Sequence, residues 1–284
     1  MRVIRYLTAG FQHAFGLHRP GRKLPVLPDD ILLASYPNSG NTWMRFLIAN
    51  LLHPDQSVDS NKLPKLIVDP DVTVKRDIDR VPRPRIVKTH SSFDPRYRRV
   101  IYLVRDPRDV AISRYRSLGR SGRIPADLPL ETFLEPFLNS ELDRYTGSWG
   151  ENVGSWLAAR SGYTGFLLIR YEDMVADTPR ELVRIAKFVG WPNTPARISQ
   201  AVERSFAHKS ARPESAQPSG WRSELTVSQV ARIEAAWGDI MTCLGYELVS
   251  HPSQSPHEPS LISSLASGAC HSGLLPRHGW QSGN

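Results

Sequence analysis

The chain has 284 residues, enough to bury a full core as one α/β domain, although length alone would also admit two. Its hydrophobic share is 40%, and no apolar run is long enough to cross a bilayer. The formal net charge of +8 suits an anionic partner (nucleic acid, membrane surface or small anionic ligand), and the sequence carries no nucleic-acid motif.

Residues 1–28 read as a basic N-terminal arm, disordered or packed, with a weak membrane-surface helix as the alternative. His13, His18 and Arg19 interrupt the apolar stretch that a secretory signal needs. Cys243 and Cys270 show neither metal-ligand spacing nor a disulfide framework. These features together lead to the expectation of a cytoplasmic protein.

The first element is an apolar run, Ile31 to Ser35, that reads as a buried strand and breaks at Tyr36-Pro37. A polar loop containing Gly40 follows. Trp43, Phe46, Leu47, Asn50 and Leu51 then recur at helical spacing. Strand, tight loop and helix together point free backbone N–H groups at an anion, although a plain strand-to-helix turn has the same pattern. A nucleotide-triphosphatase loop would place lysine directly after its second glycine. Here Asn41 and Thr42 follow Gly40, so a loop for one phosphate fits better. Trp43 lies on the helical stripe, which also allows an ordinary core role.

Short β-rich runs follow at Arg85 to Lys88 and Arg99 to Val104, with arginines concentrated from Arg96 to Arg123. Strand alternation puts Lys88 and His90 on the same side. A helix is expected after Asp106, with that aspartate as N-cap, Pro107 at its first position, and Asp109 and Ser113 one turn apart. Gly165 to Arg170 is a further strand. Thr178-Pro179-Arg180-Glu181 reads as a capping box for a helix burying Leu182, Ile185, Phe188 and Val189 and stopped by Gly190. A second box, Thr226 with Gln229, opens a helix carrying Val230, Ile233, Trp237, Ile240 and Leu244. Ser, Pro, Gly and His then dominate, so 250–284 is expected to be a flexible tail and 29–249 the folded body.

Strands alternating with helices imply an α/β fold, a central mostly parallel sheet with helices on both faces. Ligands in such sheets sit at the carboxyl ends of the strands. That rule groups the Tyr36 loop, His90, Arg105 and Tyr171 around one crevice.

Five segments in order resemble the sulfotransferase family. Tyr36 to Trp43 stands as YPNSGNTW against the family's usual YPKSGTTW. Val87-Lys88-Thr89-His90 is similar to its KTH segment, and Ile101 to Ser113 to its 3′-phosphate segment. Gly147-Ser148-Trp149 with Val153 and Trp156 resembles its GSW helix, and Tyr171-Glu172-Asp173-Met174 its YEDM segment. The resemblance covers about Ile31 to Trp191. It implies a P-loop-like three-layer α/β domain that uses 3′-phosphoadenosine 5′-phosphosulfate (PAPS) as donor and releases adenosine 3′,5′-bisphosphate, without a metal. Ser39, Gly40, Asn41 and Thr42 would then hold the 5′-phosphate. Trp43 would stack on adenine and Tyr171 would contact it. Arg105 and Ser113 would bind the 3′-phosphate. His90 is implied as the catalytic base and Lys88 as the cation on the sulfuryl group.

The chain departs from the family pattern twice. Asn38 replaces a lysine that bridges the donor, with Lys88 and Arg45 as candidate substitutes for its charge. Glu214-Ser215-Ala216 stands where a basic pair is usual, before a G-x-W match at Gly220-Trp221-Arg222, and Lys209, Arg212 or Arg222 are the candidate replacements. Arg108 reads as a surface residue or a salt-bridge partner.

The acceptor is expected to be a small molecule, lipid or glycan with a hydroxyl, less readily an amine. Arg120, Arg123, Leu128, Phe133 and Phe137 are candidates for its binding wall. Oligomeric state is open. The rival readings are a non-catalytic nucleotide-binding protein and, more remotely, a P-loop kinase.

Overall fold

The computed structural model describes residues 15, 17–143, 145–206 and 218–250. Most of the expected N-terminal arm, the tail beyond Ser250, and Lys209, Arg212 and Glu214 to Ala216 lie outside the described residues. The strands are β1 (Ile31–Ser35), β2 (Ile86–Thr89), β3 (Arg99–Val104) and β4 (Phe166–Arg170). In chain order the helices are α1 (Asn41–Leu52), α2 (Leu63–Leu66), α3 (Lys75–Ile78), α4 (Pro107–Arg120), α5 (Leu130–Leu138) and α6 (Trp149–Arg160). They continue with α7 (Tyr171–Ala176), α8 (Thr178–Val189), α9 (Pro195–Phe206), α10 (Trp221–Glu224) and α11 (Val227–Cys243). None of these is long and apolar enough to cross a membrane. The chain divides into two compact units, Met1–Arg105 with Gly165–Gly220, and Asp106–Thr164 with Trp221–Asn284.

The first unit is built on a sheet of strand order β2-β1-β3-β4, with every pair parallel. All five residues of β1 are buried, as the unbroken apolar run requires of a strand covered on both faces. The register pairs Leu33 with Lys88 on one side and Ile101 on the other, and Val104 with Arg170. Parallel pairing sends every strand's carboxyl end to one edge of the sheet. The Tyr36 loop, His90, Arg105 and Tyr171 therefore leave the same edge, as the alternation of elements predicts.

Helix α1 buries Trp43, Phe46, Leu47, Ile48 and Leu51. It packs on α9, where Asn50 Nδ2 donates to Ser205 Oγ (3.0 Å). Arg197 Nε donates to the Leu51 carbonyl (2.8 Å) and so satisfies an orphan acceptor at the C-terminal end of α1. Helix α8 starts one residue earlier than the capping-box reading. Asp177, not Thr178, is the N-cap and accepts from the Arg180 N–H (3.0 Å). Thr178 instead spends its hydroxyl on the Met174 carbonyl (2.7 Å), which ties α8 to the preceding turn. Gly190 closes α8 in the left-handed conformation, as expected.

In the second unit, Asp106 caps α4 by accepting from the Arg108 N–H (2.9 Å), with Pro107 at the first position. Reciprocal capping boxes open α6 (Ser148 with Glu151) and α11 (Thr226 with Gln229). Trp237 of α11 packs on Phe137 (ring centroids 5.4 Å apart) and on Trp149 (5.5 Å). A Cβ at Gly150 would lie 2.4 Å from the Trp237 ring, so this close approach needs glycine. Phe133 and Phe137 are fully buried in this aromatic core. They are packing residues of this core.

Candidate functional site

The loop between β1 and α1 is set by two residues with positive φ, Asn38 (66°) and Gly40 (98°). Asparagine tolerates that region better than most side chains, which is a backbone reason for its presence at position 38. Gly40 has a second constraint. A Cβ there would lie 2.5 Å from the Tyr171 ring. The N-terminus of α1 has no capping side chain and no acidic residue in its first turn. Ser39 is fully buried, yet its Oγ has no hydrogen-bond partner, nor has Asn41 Oδ1 or Trp43 Nε1. Thr42 is exposed. Buried polar atoms without partners are costly, and an anion at a bare helix N-terminus would satisfy the donors among them. The loop therefore fits a phosphate-bearing ligand.

His90 follows β2 and turns back to β1. Its Nδ1 lies 2.8 Å from the Ser35 carbonyl oxygen and 3.3 Å from Ser35 Oγ. A carbonyl only accepts, so this geometry assigns the proton to Nδ1 and leaves the Nε2 lone pair as the basic site. Ser35 Oγ also accepts from Asn41 Nδ2 (3.1 Å), and Asn41 reaches the Leu33 carbonyl as well (3.4 Å). Ser35 thus connects the loop to the histidine.

Lys88 stands on β2 with its Nζ 3.4 Å from Asp69 Oδ1 and 3.5 Å from Asp71 Oδ2. Arg45, one turn beyond Asn41 on α1, is buried against Asp69 Oδ2 (3.1 Å). Burial lowers the Arg45 pKa, and the Asp69 charge opposes that effect. Its guanidinium serves Asp69, so Arg45 is no stand-in for the family lysine at position 38.

Arg105 reaches the loop through its Nη1, which lies 3.4 Å from the Asn38 carbonyl oxygen. Its guanidinium sits over the Tyr171 ring, 4.4 Å from the centroid. Tyr171 in turn meets Trp43 edge-on at 5.9 Å, and Trp43 also touches Phe206 at 6.1 Å. Trp43 and Tyr171 are each only 1% exposed. Trp43 is thus buried, as its helical stripe allows. The loop, Trp43, Lys88, His90, Arg105 and Tyr171 all belong to the first unit.

Ser113 is half-buried on α4 of the second unit. One turn before it, Asp109 accepts from the Trp221 N–H (3.0 Å). Arg108 is not a surface residue. It is buried against Asp106 (2.7 Å) and Glu234 (2.6 Å), with a further bond to the Glu247 carbonyl (3.0 Å). Arg222, a candidate for the missing basic pair, lies over Trp221 (4.5 Å) and 3.6 Å from Glu247. Among the described residues no cluster of His, Cys, Asp or Glu is placed to hold a metal ion.

The motifs did not point to Ser35 or Asp69. Ser35 directly precedes the loop, so its neighbourhood was a signal. Asp69 lies in an irregular stretch before β2 and carries no periodic signature.

A sulfotransferase domain model matches residues 28–244. Sulfotransferase 1B1 of Canis lupus familiaris is 32% identical over 178 residues, which cover 57% of this chain and 59% of that relative. Sulfotransferase 2A1 of Rattus norvegicus is 30% identical over 213 residues, covering 68% of this chain and 72% of the relative. Among solved structures, mouse sulfotransferase SULT7A1 complexed with PAP superposes with a TM-score of 0.63 at 23% identity. That match covers 77% of this chain and 87% of the other, and it shows a common fold.

Proposed function

This chain belongs to the sulfotransferase family, and on that premise we propose that it moves a sulfuryl group from PAPS to an acceptor hydroxyl, less readily an amine. The observation that carries the proposal is the end of β1, where one residue, Ser35, supports both a phosphate-compatible loop and a histidine with a basic Nε2. PAPS supplies an activated sulfuryl group and a phosphate leaving group.

The chain's own residues bind, orient and move a proton. The backbone N–H groups of Ser39, Gly40, Asn41 and Thr42, with the Ser39 and Thr42 hydroxyls, hold the 5′-phosphate at the N-terminus of α1. Arg105 offers a planar fork for the 3′-phosphate. The family pattern adds Ser113 to that role, and adenine contacts from Tyr171 and Trp43. His90 takes the acceptor proton at Nε2 while the Ser35 carbonyl fixes its tautomer, which is worth roughly 10²–10⁴-fold. Lys88 stabilises charge on the transferring group. Such transfer runs mainly on positioning and electrostatic stabilisation, and none of these roles requires a metal. Asn38 can donate a hydrogen bond to the donor but brings no charge. The acceptor is proposed to be a small molecule, lipid or glycan, and a cytoplasmic location belongs to the same proposal.

Asn38 also favours a second reading, a nucleotide-binding protein without transfer. Incubation with sulfur-labelled PAPS and a panel of phenols, sterols, amines and glycans decides between them. Labelled product supports the enzyme. Binding of adenosine 3′,5′-bisphosphate with no labelled product from any acceptor supports the second reading.

A further inference from the structure

We propose that Asp69 is a positioning residue that holds the Lys88 ammonium in place for transfer. This rests on the reading of Lys88 as the cation on the sulfuryl group.

Asp69 is rigidly built into the sheet edge. Val68 bridges Val87 in parallel, accepts from the Lys88 N–H (2.8 Å) and donates to the Ile86 carbonyl (2.8 Å). Asp69 then sits beside Lys88 across this bridge. Its own carbonyl accepts from the Val72 N–H (3.0 Å) and the Thr73 N–H (2.8 Å), and Thr73 Oγ1 donates to the Pro64 carbonyl (2.9 Å). The residue is 6% exposed, and its two carboxylate oxygens are divided between two cations. Arg45 takes Oδ2 and Lys88 takes Oδ1.

The division matters electrostatically. A buried carboxylate needs a counter-charge. Arg45 supplies it, at the shorter distance, without consuming Lys88. Two cations share one buried anion, which leaves about one positive charge for an incoming anionic group. The second carboxylate on Lys88, Asp71, is well exposed, and solvent and salt weaken it. Lys88 has a long, rotatable stem that would otherwise sample many positions. A fixed carboxylate 3.4 Å away limits that sampling and holds the ammonium near β2 without capturing it in a tight pair.

The test is a double-mutant cycle, read as kcat and donor KM with the most active acceptor of the panel above. Asp69→Asn is expected to lower kcat about tenfold and change donor KM less than about threefold. Arg45→Met with Asp69→Asn removes the buried pair together. It should fold and show the same loss of about tenfold. Lys88→Met should itself lower kcat, and adding Asp69→Asn to it should cost less than about twofold more. If Asp69→Asn costs the same factor with and without Lys88, Asp69 is merely structural and the proposal fails while the transfer reading stands. An unchanged or higher kcat in Asp69→Asn likewise overturns it. If Lys88→Met leaves kcat intact, the assignment of Lys88 falls and takes this inference with it. Absence of turnover in the unsubstituted protein overturns the transfer reading itself.

Discussion

The strand-to-helix loop of the first unit, taken with the start of α1, and the Asp106–Arg108–Glu234 cluster of the second both bury polar groups, but those groups are satisfied to opposite degrees. In the cluster, Arg108 meets two carboxylates and a carbonyl. Glu234 also accepts from the Val249 N–H, the Ser250 N–H and the Ser250 hydroxyl. In the loop, Ser39 Oγ, Asn41 Oδ1 and Trp43 Nε1 have no partner, and the helix that follows is uncapped. Polar groups that complete one another hold a fold together. Polar groups left incomplete at a strand end suit the ligand proposed for this loop. Asp106 and Arg108 lie within segments that resemble the family just as the loop does, so motif membership alone does not separate the two roles.

Five substitutions sharpen or break that contrast. The largest effect is expected at the loop's catalytic neighbour. His90→Ala should lower kcat by roughly 10²–10⁴-fold in the labelled-sulfur assay and leave bisphosphate affinity nearly unchanged. An unaltered rate would remove His90 as the base. Next comes the cluster. Arg108→Met strands two buried carboxylates and should cost about 3–5 kcal/mol in urea unfolding, with bisphosphate affinity of the folded protein unchanged. A loss of ligand affinity without loss of stability would reverse the roles assigned to the two regions.

The cluster also predicts a pH dependence. Burial on its own pushes the Glu234 carboxyl up. The hydrogen bonds from Ser250 and Val249 and the Arg108 charge outweigh it, so the net shift is below the ordinary value of 4.5. A depressed folded-state pKa means stability that is fully present above that ordinary value and lost as pH falls through the lower one. Glu234→Gln should therefore narrow its stability gap from the unsubstituted protein as pH drops below 4.5, measured by thermal melts. A gap independent of pH would contradict the pairing.

Gly40→Ala follows in size. The positive φ and the approach to Tyr171 together should cost about 2–4 kcal/mol, with bisphosphate affinity falling at least about tenfold. Asn38→Lys is the smallest. Restoring a charge beside the leaving phosphate should raise kcat about three- to tenfold, a fraction of what a full transition-state donor contributes. A lower rate would mean that the asparagine's left-handed conformation matters more than the missing charge.

The parallel sheet was legible because apolar runs such as Ile31 to Ala34 have a single sensible environment. Caps at Asp106 and Thr226 were legible for the same local reason. The start of α8 was misplaced by one residue because Asp177 and Thr178 are both good cap residues, and the tie to the Met174 carbonyl that decides between them is not local to the capping pattern. The pairing of Arg108 with an acidic neighbour, Asp106, was within reach of the sequence, but its burial against Glu234 and the packing of Phe137 on Trp237 were not, because those partners lie about a hundred residues or more along the chain. Asp69 escaped because its role depends on one isolated bridge at Val68. The loop itself was legible in outline, but which of its polar atoms lack partners depends on three-dimensional packing.

The most direct test of the central claim, that this loop grips a doubly phosphorylated adenosine, is a calorimetric titration of the purified protein with adenosine 3′,5′-bisphosphate and, separately, with ATP and Mg²⁺. The account predicts that the bisphosphate binds at least about tenfold more tightly than ATP, a difference of about 1.4 kcal/mol, and that Gly40→Ala loses this preference. Equal or tighter binding of ATP, or no bisphosphate binding at all, would contradict it.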